Sequence, residues 1–184
     1  MGVGEVTPSM QAVFLDRDGV LNACRVVDGR PYPPDSVDSF TLLPGAVQAC
    51  TKLKNAGFAL VVVTNQPDIG RGTQRLEEVE AMHDVLRNSL PLDAIKVCIH
   101  GGDGECECRK PKPGMLFDAA NDLGIELNSS YMVGDRWRDI DCGYAAGCRT
   151  VFIDYKYDEA LHQTPDVIVV DVAEAADWIL SQSN

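Results

Sequence analysis

The sequence contains no apolar run of the roughly 18 residues that a bilayer-spanning helix requires. Positive charge is scarce: 16 Lys and Arg stand against 28 Asp and Glu, a net charge of −12. That balance speaks against affinity for nucleic acid or an anionic membrane surface. The opening residues Met1-Gly2-Val3-Gly4-Glu5-Val6 have neither the basic flank nor the apolar core of a secretory signal, and Val6 breaks a myristoylation match. There is no internal repeat, low-complexity tract or linker. Cysteine is present in an odd number, seven, and three of these fall between Cys98 and Cys108. This clustering predicts reduced, metal-binding thiols in a cytoplasmic protein rather than a disulfide frame. What remains is ordinary for a globular chain, 45% hydrophobic over 184 residues. It predicts a single domain spanning residues 1–184 around one substantial core.

Apolar strand-like runs alternate with helical patterns. The runs cover residues 13–15, 58–63, 95–99, 131–133, 150–153 and 167–170. The run at 58–63 is nearly continuous, as in strands buried on both faces of a parallel sheet. Pro44 opens a helix with Ala46, Ala49, Cys50 and Leu53 on one face, stopped by Gly57. A second helix carries Leu76, Val79, Met82, His83 and Leu86. A third is predicted to start with Pro113 at its first position and to end at Gly124. The last carries Val172, Ala175, Ala176, Ile179 and Leu180 at helical spacing, with Trp178 beside the stripe as packing. This alternation predicts an α/β/α three-layer sandwich with a Rossmann-like parallel sheet. The irregular stretches 22–39, 65–73 and 100–113 all follow strands, so all three should rim one edge of the sheet.

Chemistry-bearing residues collect at those strand ends. Asp16-Arg17-Asp18-Gly19 places two carboxylates one residue apart after the first run, suited to one reaction centre; read alone, the pair also fits a solvated turn. A calcium loop is excluded, because Val20 and Leu21 occupy positions that need further ligands. Thr64-Asn65-Gln66 offers a hydroxyl and amides that can donate to phosphate oxygens, or forms an ordinary strand-ending turn. Cys98 and His100, followed after a flexible spacer by Cys106 and Cys108, form a Cys₃His set with the stoichiometry of a closed structural zinc site. Arg109 and Lys110 follow the last thiol directly, a bidentate and a compact cation stiffened by prolines. Gly134-Asp135-Arg136-Trp137-Arg138-Asp139 supplies another strand-end carboxylate. Asp135 beside Asp16 and Asp18 would make an oxygen-rich magnesium cage, while an N-capping role is the plain alternative. Asp139, four residues on, is predicted to share a helical face with Asp135. His83 on its helix stripe reads as a packed histidine, and His162 carries no signal.

These motifs, in the order DxDG, Thr-Asn, Lys, GDxxxD, resemble the haloacid dehalogenase superfamily of aspartate-nucleophile phosphatases. The thiol pattern and Arg109-Lys110-Pro111-Lys112-Pro113-Gly114 make the chain similar to the branch containing D-glycero-D-manno-heptose 1,7-bisphosphate and histidinol-phosphate phosphatases. The resemblance runs from about Val13 to Asp154. It implies Asp16 as nucleophile and Asp18 as general acid and base, with Thr64 and Lys110 on the transferring phosphoryl group. It implies magnesium held by Asp16, the Asp18 carbonyl and Asp135, and zinc held by Cys98, His100, Cys106 and Cys108. Arg136 and Asp139 would act from behind the metal and the phosphoryl site. Asn65, Gln66, Arg109 and Arg25 are expected on a small phosphorylated sugar, with Arg30 and Tyr32 as further contacts by position. Arg136 stands where many members carry lysine, and the spacer inside the thiol motif is short. The intervals between motifs have no room for a large cap domain, so the site should be open and the chain monomeric. The leading expectation is removal of the 7-phosphate of the heptose bisphosphate, in nucleotide-activated heptose and lipopolysaccharide synthesis. The competing expectations are a histidinol-phosphate phosphatase and a catalytically silent zinc module.

Overall fold

The computed structural model describes residues 10–102 and 106–182, so residues 1–9, the last part of the thiol spacer, 103–105, and residues 183–184 lie outside the described residues. Six parallel strands form the sheet: β1 (Ala12–Leu15), β4 (Ala59–Asn65), β5 (Ala94–Cys98), β6 (Tyr131–Gly134), β7 (Arg149–Ile153) and β8 (Val167–Val169). Their order is β5-β4-β1-β6-β7-β8. The chain therefore winds outward from β1 through β4 to β5, returns to β6, and winds outward the other way. The reversal between β1 and β6 is the switch point at which open α/β sheets place their sites. Leu15, the last residue of β1, pairs with both Val62 and Val133, so β6 runs on to Gly134 and β4 to Asn65 beyond the end of β1.

Side-chain alternation along the strands divides the core in two. Val13, Leu15, Leu60, Val62 and Val133 pack with α1 (Ala46–Asn55) and α6 (Val172–Ser181). Ala12, Phe14, Val61, Val63 and Met132 pack on the other face with α4 (Gly114–Leu123) and α5 (Trp137–Ala146). This is the expected three-layer sandwich. Trp178 packs edge-on against Tyr131 at 6.0 Å. Among the described residues no cap domain interrupts the sheet, and no helix is long and apolar enough to cross a membrane.

Three local expectations are corrected. The helix predicted to open at Pro44 begins at Ala46, after Gly45. Pro113 is the N-cap of α4, not its first residue, while Gly124 closes that helix in the left-handed conformation as expected. Segment 22–39 is not wholly irregular: β2 (Arg25–Val27) and β3 (Arg30–Tyr32) form a small antiparallel hairpin. Short helix α2 (Pro67–Gly70) and helix α3 (Leu76–Ser89) complete the fold.

Candidate active site

A cleft opens above the ends of β1, β4 and β6. It is lined on its floor by Asp16, Asp18, Lys110 and Asp135, and on its walls by Cys24, Pro31, Pro33, Asn65, Gln66, Asp68, Arg136 and Arg138. Asp16 and Asp18 leave β1 together, Thr64 and Asn65 end β4, and Asp135 follows β6.

Lys110 organises the floor. It is 2% exposed, and its Nζ lies 2.8 Å from Asp16 Oδ1 and 2.7 Å from Asp139 Oδ1 while donating to the Val63 carbonyl at 2.7 Å. Burial alone would lower its basicity, but Asp139 and Asp16 outweigh burial and keep it a firm cation. Its backbone is clamped from both sides by Asn65, whose Oδ1 accepts from Lys110 N and whose Nδ2 donates to Lys110 O, each at 3.0 Å. Asn65 therefore fixes the arm that carries Lys110, a task not foreseen for it.

Around this cation three acids crowd together. Ligand oxygens of Asp16, Asp135 and Asp139 lie within 4.8 Å of one another. Asp16 also accepts from Arg17 N at 2.7 Å. Burial, then Asp139, push its carboxyl up to about 6 despite Lys110. Asp135 is raised well above the usual carboxylate range by burial and then by Asp16 and Asp139, and both its oxygens are buried without a hydrogen-bond partner. Two orphaned buried carboxylate oxygens beside a second acid are what a hard divalent cation satisfies, so the donor set fits magnesium.

Two glycines let the carboxylates meet. Gly19 adopts φ +87°, and a Cβ there would fall 2.0 Å from Asp135 Oδ2; at Gly134 one would fall 2.1 Å from the Asp139 Cβ. Asp135 itself precedes α5 and does not share a helical face with Asp139, correcting that expectation. Asp139 sits in the first turn, where its Oδ2 accepts from Arg136 N at 3.1 Å. The turn brings Asp139 back toward Lys110, which helical spacing alone does not predict.

The crowding has a consequence for stability without metal. Because Asp16 binds its proton more tightly folded than unfolded, the folded state loses stability as pH rises from the ordinary 3.8 through about 6. We expect the thermal midpoint of metal-free protein to fall across that window and added Mg²⁺ to restore most at its upper end. Asp135→Asn should raise the metal-free midpoint at pH 7 and nearly abolish the Mg²⁺ response, read by scanning calorimetry with and without the ion. An unchanged Mg²⁺ response would remove Asp135 from the cation site.

Asp18 lies in a different setting. Burial works to raise its carboxyl, but Arg17, then Asn22 and Gln66, hold it below the usual range. Gln66 Nε2 donates to Asp18 Oδ2 at 2.9 Å and to Thr64 Oγ1 at 2.8 Å. Thr64 is buried at the end of β4.

Beside the cleft, Cys98, His100, Cys106 and Cys108 converge, with one ligand atom of each within 4.8 Å of the others. Cys98 and Cys106 sulfurs are 3.7 Å apart, and His100 Nδ1 lies 3.5 Å from Cys98 Sγ and 3.3 Å from Cys108 Sγ. Zinc bonds of about 2.3 Å to sulfur give tetrahedral edges of about 3.8 Å. The donor spacing fits that ion. All seven cysteines are free thiols. Burial, then its two thiol neighbours, push Cys108 up to about 12, so without a cation these sulfurs resist ionising together.

Two expected substrate contacts are not among the residues lining this cleft. Arg109 does not line the cleft; its Nη1 donates to the His100 carbonyl at 2.9 Å, tying the arm to the thiol loop. Arg25 is exposed on β2, away from the cleft lining, as are Arg30 and Tyr32, whereas Cys24, Pro31 and Pro33 of the same segment form the wall. The wall cations are Arg136, paired with Glu159, and Arg138, which lies over the Trp137 ring at 5.8 Å. Arg138, Asn22 and Arg17 were not singled out from the sequence. Arg138 was signalled only as a second arginine in the strand-end motif, and Asn22 only by its place four residues after Asp18.

A buried carboxylate beside a buried lysine, with a second carboxylate two residues on and a strand-end acid pair, is the arrangement expected of a haloacid dehalogenase-type hydrolase. The family described as HAD-hydrolase-like matches residues 107–175. The chain is 38% identical over 188 residues to the D-glycero-beta-D-manno-heptose-1,7-bisphosphate 7-phosphatase of Yersinia pestis, across 96% of this chain and 93% of that protein. Identity to the enzyme of the same name from Escherichia coli K12 is 37% over 185 residues, across 94% and 90%. The chain belongs to this phosphatase family. Its fold matches the crystal structure of D,D-heptose 1,7-bisphosphate phosphatase from B. bronchiseptica complexed with magnesium and phosphate, with TM-score 0.80 and 33% identity, over 94% of this chain and 99% of that one.

Proposed function

We propose that this chain removes the 7-phosphate of D-glycero-D-manno-heptose 1,7-bisphosphate, with the β anomer, named for the curated relatives, as its preferred form. The observation that carries the reading is the Asp16 carboxylate, held 2.8 Å from the Lys110 ammonium at the floor of an open cleft. Near-full-length likeness to heptose bisphosphatases supports the substrate class.

Asp16 attacks phosphorus and forms an aspartyl phosphate as the bond to the sugar oxygen breaks. Asp18, held ionised in the free site by Arg17, Asn22 and Gln66, takes up a proton from solvent as the anionic substrate enters beside it. It gives that proton to the sugar oxygen, then takes one from the water that attacks the same phosphorus, releasing phosphate and restoring Asp16. Lys110 offsets the charge gathered on the phosphoryl oxygens, and Thr64 and the turn after β4 complete their cradle. Asp16, Asp135 and the Asp18 carbonyl would hold magnesium, which when bound screens the repulsion between carboxylate and phosphoryl group. Zinc on the four thiol-loop ligands would staple the Lys110 arm. The remaining parts of the proposal are a monomer in the cytoplasm, where free thiols persist, and a product consumed in nucleotide-activated heptose synthesis.

Parallel turnover of both heptose bisphosphate anomers and of histidinol phosphate tests the reading. The heptose substrates should give a kcat/KM larger by at least about tenfold, within the range one pocket achieves on differential contacts. Faster turnover of histidinol phosphate would overturn it.

A further inference from the structure

Arg17 has no exposed surface and heads the fully buried side chains by volume. A guanidinium is not buried cheaply unless its donors find acceptors. One edge is matched by Asp18: Nε reaches Oδ1 at 3.2 Å, and Nη2 reaches both Oδ1 and Oδ2 at 2.9 Å. The other edge points away from the cleft, where Nη1 meets His83 Nε2 at 3.4 Å. His83 comes from α3 and is itself wholly buried.

The chemistry of this contact assigns the histidine's proton. Arginine carries only donors, so His83 Nε2 must present its lone pair, which puts the hydrogen on Nδ1. Nδ1 faces Glu80 Oε1 at 3.4 Å, an acceptor. Burial and the neighbouring guanidinium lower the imidazole's basicity, in keeping with a neutral ring. Glu80, His83, Arg17 and Asp18 thus form a chain in which each guanidinium nitrogen meets an acceptor. Asn22 Nδ2 donates to Asp18 Oδ1, and Gln66 Nε2 to Asp18 Oδ2. The Asp18 side chain keeps 17% exposure beside the cleft.

We propose that His83 is a positioning residue for the acid–base step: by accepting from Arg17 Nη1 it fixes the guanidinium whose opposite edge aims the Asp18 carboxyl at the leaving oxygen. The inference rests on the phosphatase reading above. In the step it serves, Asp18 takes up a proton from solvent as the anionic substrate enters, and that proton passes to the sugar oxygen as the phosphorus–oxygen bond breaks.

The test compares a substrate whose leaving oxygen needs a proton with one that does not. It uses kcat/KM, which reports formation of the aspartyl phosphate, for heptose 1,7-bisphosphate and for 4-nitrophenyl phosphate. His83→Leu should lower the value for the sugar substrate by at least about tenfold, a fraction of what a general acid contributes. It should change the aryl substrate by less than about threefold. His83→Gln, whose carbonyl can accept from Arg17, should restore the sugar value. Equal losses on both substrates, no loss on the sugar, or no rescue by glutamine would overturn the proposal. If His83→Leu does not fold, Arg17→Lys carries the test with the same split expected and an equal loss contradicting it. Asp16→Asn assayed alongside separates the two ideas: activity surviving in that variant defeats the phosphatase reading itself, whatever His83 does.

Discussion

Asp16→Asn is expected to lower turnover of heptose 1,7-bisphosphate by at least about 10⁴-fold, the scale on which removal of a covalent nucleophile is felt. The variant should fold normally. Asparagine keeps an oxygen to accept the 2.7 Å bond from Arg17 N, and Lys110 retains Asp139 at 2.7 Å and the Val63 carbonyl. What is lost is the nucleophilic charge, since an amide cannot displace an alkoxide from phosphorus. Loss of one acid from the crowded trio should leave the metal-free thermal midpoint at neutral pH no lower than that of the parent. Steady-state rates and calorimetry on the same preparation separate chemistry from folding. Near-parental turnover would remove Asp16 from the reaction.

Withdrawing zinc should have the next largest effect. Cys98 belongs to the buried cluster under α4 and α5, and Cys106 and Cys108 pack against it. The loop they close is tied to the catalytic arm by Arg109 to the His100 carbonyl, Lys112 Nζ to the Cys106 carbonyl at 2.9 Å, and Gly114 N to the Glu107 carbonyl at 3.0 Å. A zinc-selective chelator with Mg²⁺ held constant is expected to lower the thermal midpoint by about 10 °C or more. That corresponds to several kcal/mol for a domain of this size, well within structural zinc affinities. Activity should fall with it through Lys110 and return with added zinc, while far-UV circular dichroism keeps the signal of the sheet. Cys106→Ser should behave like the chelated protein. Equal stability and activity in protein shown by metal analysis to be zinc-free would reject the staple.

The parts of this molecule legible in the sequence are those fixed by periodicity and chain order. The continuous run ending at Val63 is a central parallel strand because both its faces are buried. The meeting of Asp16 with Lys110 was legible in residue type and motif order, and the convergence of Cys98, His100, Cys106 and Cys108 in their compact spacing. The hairpin of β2 and β3 was missed although Asp28-Gly29, at φ 49° and 72°, is a strong two-residue turn signal. Its strands are three residues long and largely exposed, so alternation had nothing to mark. The direction of long side chains was not legible either. Arg109 and Arg138 carry the same charge, but a carbonyl of the thiol loop turns the first away from the cleft, while α5 sets the second on its wall. Asn65 reads as a phosphate donor, and folding adds a second task, its amide oxygen and one amide hydrogen engaging the Lys110 backbone.

In the proposed mechanism phosphate leaves in two displacements through Asp16. The most direct measurement of that path is the stereochemical course at phosphorus, obtained by hydrolysing a phosphorothioate monoester made chiral with two oxygen isotopes in water of the third and reading the configuration of the thiophosphate released. Two in-line displacements each invert, so transfer through Asp16 predicts net retention. Net inversion would mean that water attacks the substrate directly, and would contradict the account.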